Sequence, residues 1–310
     1  MKKRIITILF VLIAALALSA CNNTAAPAQS PETTAPATQP TQGAESSDGG
    51  ENSDMPSGTI SVVGSTSVGP VMEAIVAKYN ETNPDLVIEI QQVGSSAGIK
   101  AALDGTADIG MSSRDLKDEE VAQGVVPTEI ALDGIAIIVN NDSKVSELTS
   151  EQIQKIFKGE ITNWKDVGGD DADITVISRE EGSGTRAAFE ELLGLVGKIE
   201  KDGKEVEETL VSERALIQEG TGSVKAAVAG NPNAIGYISL GVADDTIKAL
   251  KVDGAEATVE NVLDKSYKVM RPFLAVTNGE PEGLAKVFLD YILSEEAQEV
   301  VESKSYIKVN

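Results

Sequence analysis

The run Ser178-Arg179-Glu180-Glu181-Gly182-Ser183-Gly184-Thr185 holds the residues best suited to chemistry. It follows an apolar, β-branched stretch at 174–177 and precedes a helix-like segment at 186–193. A strand that ends in such a turn and opens a helix aims free backbone N–H groups, and the positive end of the helix dipole, at one point. Arg179 adds a permanent cation with a planar fork suited to an oxyanion, and Ser183 and Thr185 add hydroxyl donors. The chemistry that fits is anion binding.

Two more turns of this kind lie earlier. Strand-like 59–63 runs into Gly64-Ser65-Thr66-Ser67 and then a helix with apolar Val68, Met72, Ile75, Val76 and Tyr79. Strand-like 86–91 runs into Gly94-Ser95-Ser96-Ala97-Gly98 and a helical stretch at 99–103. Gly and Ser also make ordinary turns between β and α elements. Three such turns together with Arg179 favour convergence on one ligand.

The chain contains no histidine. That excludes His-based zinc sites, Ser–His–Asp and Cys–His nucleophiles, and the usual general base. Gly94-Ser95-Ser96-Ala97-Gly98 matches a nucleophile elbow in letters and setting, yet its base is missing, and no Ser-x-x-Lys occurs in the three turns. The first turn lacks the Lys-Ser/Thr ending of a nucleotide phosphate loop. Neither an enzyme, a metal site nor a cofactor is expected.

The elements that must position the turns alternate. Strand-like runs at 59–63, 86–91, 134–139, 174–178, 234–238 and 271–276 are separated by helical ones. Leu284, Val287, Phe288, Tyr291 and Ile292 follow helical spacing and read as a buried stripe. The pattern implies an α/β chain with mostly parallel sheets, whose ligands sit at the carboxyl ends of strands. Residues 58–310 suffice for two modest lobes or one large domain.

The net charge is −23, and −26 without the cations Lys2, Lys3 and Arg4. With no basic stripe, nucleic acid and anionic membrane are poor partners. The acidic runs at 117–120 and 205–208 read as solvated surface.

Lys2-Lys3-Arg4 followed by an apolar run at 5–18 reads as a signal peptide over residues 1–20. Leu18-Ser19-Ala20-Cys21 resembles a lipobox that would make Cys21, the one cysteine, the lipidated first residue of the mature chain. Two acyl chains suffice for stable anchoring, so the membrane is expected as a partner through the lipid alone. Residues 21–57 complete a tether with five of the eleven prolines, many Thr, Ala and Ser, and no Lys or Arg. As a coil it spans roughly 30–35 Å.

From about residue 58 to 310 the chain resembles the phosphate-binding proteins of bacterial phosphate ABC importers, the PstS family. The matching segments are Gly64-Ser65-Thr66-Ser67, Gly94-Ser95-Ser96-Ala97-Gly98, Ala107-Asp108-Ile109-Gly110-Met111-Ser112-Ser113-Arg114, Gly159-Glu160-Ile161-Thr162-Asn163-Trp164, the Arg179 turn and Ala234-Ile235-Gly236-Tyr237, in that order. The resemblance implies a two-lobed type II periplasmic-binding-protein fold with a hinge. Residues 58–137 plus 273–310 would form lobe 1, 138–272 lobe 2, with crossings at 134–139 and 271–276. It implies that Thr66, Ser67, Ser95 and Ser113 hold inorganic phosphate from one lobe and Arg179, Ser183, Gly184 and Thr185 from the other. It also implies delivery to a permease with a cytoplasmic ATPase.

Some family members carry aspartate where this chain has Ser113, an acceptor for the proton of bound phosphate. Glu181, two residues after Arg179 and beside the Gly182-Ser183-Gly184-Thr185 turn, is the first candidate for that role and Asp115 the second; pairing with Arg179 is the other role open to Glu181. Arg114 reads either as a second cation or as half of a surface ion pair with an adjacent acid. Trp164 reads as a packing residue. Two other functions stay open: a receptor for sulfate, molybdate or tungstate, and a phosphate-binding sensor or scaffold uncoupled from transport.

Overall fold

The structure, a computed structural model, describes residues 56–201 and 203–310. The signal peptide, Cys21 and nearly all of the tether lie outside them. Strand and helix alternate first as β1 (Gly58–Gly64), α1 (Gly69–Tyr79), β2 (Leu86–Gln92), α2 (Ser95–Leu103), β3 (Ile109–Ser112) and α3 (Asp118–Val121). The 15-residue β4 (Val125–Val139) leads to β5 (Glu147–Leu148), α4 (Ser150–Lys158), β6 (Thr175–Arg179) and α5 (Gly184–Leu192). A hairpin of β7 (Val196–Lys201) and β8 (Lys204–Thr209) precedes β9 (Leu216–Gln218), α6 (Thr221–Ala229) and β10 (Ala234–Ser239). The chain ends with β11 (Lys248–Ala249), β12 (Lys251–Val252), α7 (Val259–Leu263), β13 (Met270–Asn278), α8 (Gly283–Ile292) and α9 (Glu295–Ser303).

One sheet runs in the order β2-β1-β3-β13-β4-β10-β6-β9, with β11 also on β4. Both wings are parallel, β2-β1-β3 at one end and β10-β6-β9 at the other. The centre is antiparallel: β13 pairs so with β3 and β4, and β10 with β4. The expected mostly parallel sheet is therefore a mixed one. The physical reason is the two strands that carry the chain across and back, which run in opposite directions. β4 spends residues 125–134 against β13 and residues 135–139 against β10, so one strand belongs to both halves. Residues 134–139 and 271–276 lie in these two strands.

Each half has its own core. In the first, Val68, Met72, Ile75 and Tyr79 meet Phe288, Ile292 and Val301, with the Tyr79 ring edge-on to Phe288. In the second, Phe157, Phe189 and Tyr237 pack with Trp164, and Phe189 stacks on Tyr237 at 3.9 Å between centroids. Trp164 is buried there as a packing residue, its Nε1 donating to the Asn233 carbonyl. The stripe expected on α8 is rotated: Phe288, Leu289 and Ile292 are buried, whereas Val287 is 41% exposed. Glu120 also departs from the solvated reading of its acidic run, because its carboxylate folds back onto Arg114. The result is a two-lobed α/β fold. Among the described residues no helix is long and apolar enough to cross a membrane.

Candidate functional site

The small turns sit where the parallel strands of both wings end, so their hydroxyls meet in the cleft between the halves. Thr66 and Ser67 follow β1, Ser95 follows β2 and Ser113 follows β3; Arg179 ends β6, and Ser183, Gly184 and Thr185 open α5. Ser67 Oγ lies 2.8 Å from Thr185 Oγ1 across the cleft. Ser95 Oγ accepts the Ser113 N–H at 3.1 Å, and the two hydroxyls stand 3.3 Å apart. Gly184 closes over this pair so tightly that a Cβ there would meet Ser95 Oγ at 2.2 Å and Ser113 Oγ at 2.7 Å. A backbone bond from Ser96 N–H to the Gly182 carbonyl, 3.1 Å, also ties the two sides.

Arg179 is 1% exposed. Its Nη2 donates to Thr66 Oγ1 at 3.1 Å and its Nη1 to Thr221 Oγ1 at 3.3 Å. Because a guanidinium only donates, both threonine oxygens accept from it and can turn their own protons onward. Thr221 Oγ1 lies 3.0 Å from Ser67 Oγ and 3.2 Å from Thr66 Oγ1, completing a cluster of hydroxyls around the fork.

The Arg179 backbone is fixed from both sides. Its N–H donates to the Tyr237 hydroxyl at 3.3 Å, and its carbonyl accepts from Arg186 Nη1 at 3.0 Å. Burial pushes the Tyr237 hydroxyl up to about 12, so it stays a neutral hydroxyl at physiological pH. Burial also pushes the Glu180 carboxyl up, but the hydrogen bonds and charge of Arg179, with the Gly220 N–H, outweigh it and hold that carboxyl below its ordinary range. Ser183 caps α5 by accepting the Arg186 N–H at 3.2 Å, which leaves its hydroxyl proton free to donate.

The residues read as candidate selectivity groups are placed differently. Glu181 sits exposed at the tip of the turn, just before Gly182 at φ 85°, and among the described residues it makes no side-chain hydrogen bond. The pairing with Arg179 weighed for it falls to Glu180, whose side chain lies alongside the fork. Asp115 is exposed, and its carbonyl accepts from Arg114. Arg114 is held bidentately by Glu120 at 2.8 Å for each contact, an ion pair with 8% and 14% side-chain exposure. It is half of an ion pair rather than a free cation, but a largely buried pair with Glu120 where a surface pair with an adjacent acid was expected.

Thr221, Ser65, Glu180 and Tyr237 join the site without standing out in the sequence. Thr221 had a signal: Gly220-Thr221-Gly222-Ser223 repeats the small hydroxylic turn at the start of a helix. It was hidden because the strand before it, β9, is only three residues long. Ser65 Oγ accepts the Ser67 and Val68 N–H groups and donates to Ser113 Oγ at 2.9 Å, shaping the first turn. The whole arrangement suits a compact oxyanion: many donors, one shared cation, and no carboxylate hydrogen-bonded to the hydroxyl cluster among the described residues. No acidic, Cys or His group of three that could hold a metal occurs among them.

Residues 34–296 match the family model of a PBP superfamily domain. The Bacillus subtilis phosphate-binding protein PstS is 34% identical over 267 residues, 85% of each chain. Among solved structures, a candidate phosphate ABC transporter substrate-binding protein from Clostridium perfringens, with bound phosphate, is 51% identical with a TM-score of 0.75, covering 82% of this chain and all of its own. An ABC-type phosphate transport receptor from Vibrio cholerae is 38% identical with a TM-score of 0.67, covering 81% and 100%.

Proposed function

The chain belongs to the PstS family of phosphate-binding proteins, and from that premise we propose that it is an extracytoplasmic receptor that captures inorganic phosphate between its two lobes and delivers it to an ABC importer. The observation that carries this reading is Arg179: a buried fork at the end of β6 whose N–H groups reach Thr66 from one half and Thr221 from the other. Thr66, Ser67, Ser95 and Ser113 would contact the anion from lobe 1, residues 58–137 plus 273–310. Arg179, Ser183, Gly184 and Thr185 would contact it from lobe 2, residues 138–272. Only the closed state offers both sets of donors, so the anion selects that state. Lipidated Cys21 would keep the receptor at the membrane beside the permease and ATPase it serves. No catalytic step is proposed.

A second reading, a receptor for sulfate, molybdate or tungstate, has one observation in its favour. Three carboxylates near the cleft are engaged, Glu180 by Arg179 and Gly220, Glu120 by Arg114, and Asp133 by Arg271, while Glu181 and Asp115 are exposed. Each of the three engaged carboxylates already accepts several hydrogen bonds, which leaves little acceptor capacity for the proton of a phosphate. A calorimetric titration of phosphate, sulfate, molybdate and tungstate separates the readings. Saturable one-to-one binding, tightest for phosphate, is expected; no saturable heat with phosphate overturns the receptor assignment.

A further inference from the structure

Behind the hydroxyl cluster lies a buried pair of charges that anion contact alone does not call for. Arg271 on β13 and Asp133 on β4 face each other in the antiparallel register, and their side chains are 1% and 0% exposed. Arg271 Nε and Nη2 both donate to Asp133 Oδ2, at 3.2 and 3.0 Å, while Oδ1 accepts from Ser239 Oγ at 2.9 Å. That leaves Nη1, which donates to the backbone carbonyl of Ser113 at 3.1 Å. Ser113 is in turn bonded to Ser95 and Ser65 inside the cluster.

An apolar pair of the same volume would commonly serve stability as well as a buried ion pair does. This one sits on the two strands that join the halves, and one arm of it holds a cleft residue. We propose that Arg271 is a positioning residue of the anion site, fixing Ser113 through its carbonyl and lending the cleft a second buried positive charge that Asp133 counterbalances. The proposal rests on the phosphate reading above. The charged and titratable groups facing the pair are Arg179 from β6, Tyr306 from the C-terminal tail and Tyr267 from the loop before β13. The Arg271 guanidinium is destabilised first by its burial, supported by Asp133, and destabilised again by the like charge of Arg179, so the two guanidinium groups feel one another. An anion settling beside Ser113 favours the charge on Arg271 and disfavours the charge on Asp133. Anion binding and protonation of Asp133 are then linked, each promoting the other.

The test follows the Asp133 carboxyl in the wild-type protein by carbon NMR, assigned by its loss in Asp133→Asn, from pH 4.5 to 8 with and without saturating inorganic phosphate. The titration midpoint is expected to rise by about half a unit or more when phosphate binds. An unmoved midpoint overturns the proposal. Calorimetry at pH 7.5 gives an independent arm, in which Asp133→Asn tightens phosphate binding about threefold or more and Arg271→Met loosens it about tenfold or more. A pair that only holds the strands together predicts losses in both variants or in neither, and that result also overturns it. Should Arg271→Met fail to fold, the wild-type titration decides alone; should Asp133→Asn fail, the carboxyl signal is assigned through bonds from the Asp133 backbone and the wild-type titration still decides. Wild-type protein that takes no phosphate at all refutes the receptor reading instead, so the two failures are distinguishable.

Discussion

Arg179 grips its own chain neighbour: Nε and Nη2 donate to the two carboxylate oxygens of Glu180 at 2.7 Å each. The acid fixes the plane of the fork, and the remaining N–H groups are left aimed at Thr66 and Thr221 on opposite sides of the cleft. A donor set oriented before the ligand arrives loses less entropy on binding than one that must be ordered by it. The neighbouring charge also tempers the cation, so an anion bound there would meet aligned N–H groups in a region of modest net charge.

Replacing Arg179 by Lys keeps the charge and removes the fork. An ammonium cannot hold Glu180 bidentately and reach two threonines as well. Arg179→Lys is expected to weaken phosphate binding by about tenfold or more, roughly 1–3 kcal/mol. Calorimetry checks the affinity, and small-angle scattering should show less phosphate-induced compaction than in the wild type. Equal affinity would show that charge alone suffices.

Thr221 separates hydroxyl chemistry from shape. Thr221→Val keeps the β-branched volume and removes the group that accepts from Arg179, leaving a buried donor unpaired. A loss of about 1–3 kcal/mol in phosphate affinity is expected, with Thr221→Ser close to the wild type. A valine variant that binds normally would place Thr221 outside the site.

Gly184 is a site of close approach. A methyl group there overlaps Ser95 Oγ and Ser113 Oγ, which belong to the other half. Because the clash is with cleft residues, Gly184→Ala should hold the halves apart and leave each core intact. The expected outcome is phosphate affinity down by about tenfold or more, an unchanged circular dichroism spectrum, and little compaction with ligand. Wild-type affinity would mean that the cleft closes less tightly around the anion than around its own hydroxyls.

Much of this was legible in the sequence because the relevant signals are local. Strand, small hydroxylic turn and helix follow one another in three places, and the Ser67, Ser95 and Thr185 hydroxyls do face the cleft. What could not be read was long-range. Glu180 and Glu181 are alike in sequence, and only the turn at Gly182 decides which lies beside Arg179. Arg271 and Asp133 are separated by more than a hundred residues and meet through strand register, which β4 and β13 set by crossing antiparallel. The same crossing turned an expected parallel sheet into a mixed one.

The Asp133 carboxyl gives a pH dependence of definite sign. Burial pushes it up from 3.8 to about 6, against the charge of Arg271 and the hydrogen bonds of Ser239 and Gly241. A raised folded-state value makes its contribution to stability full below about pH 3.8 and progressively lost as pH rises through about 6. Relative to Asp133→Asn, the wild type should therefore lose stability between about pH 4 and 7, by up to roughly 3 kcal/mol. Thermal melts of both proteins across that range check it; parallel curves would show that Asp133 titrates normally.

Selectivity turns on one proton. Near neutral pH phosphate carries a hydrogen that sulfate lacks, so discrimination needs a group that accepts a hydrogen bond and cannot donate one. A carboxylate does this; a serine hydroxyl accepts but can equally rotate to donate to sulfate. Ser113 lies in the cluster with its Oγ beside those of Ser65 and Ser95, and among the described residues no carboxylate is hydrogen-bonded to any of the three. Glu181 is exposed at the turn tip, so Glu181→Gln should leave the ratio of phosphate to sulfate affinity unchanged. Ser113→Asp should raise that ratio by about tenfold or more, because the new carboxylate can accept the phosphate proton and repels a fully deprotonated sulfate oxygen. Competition titrations of sulfate against phosphate read both variants. A fall in the ratio on removing the Glu181 charge would place that side chain at the anion after all, while an unmoved ratio in Ser113→Asp would show that donor geometry around Arg179 sets the preference.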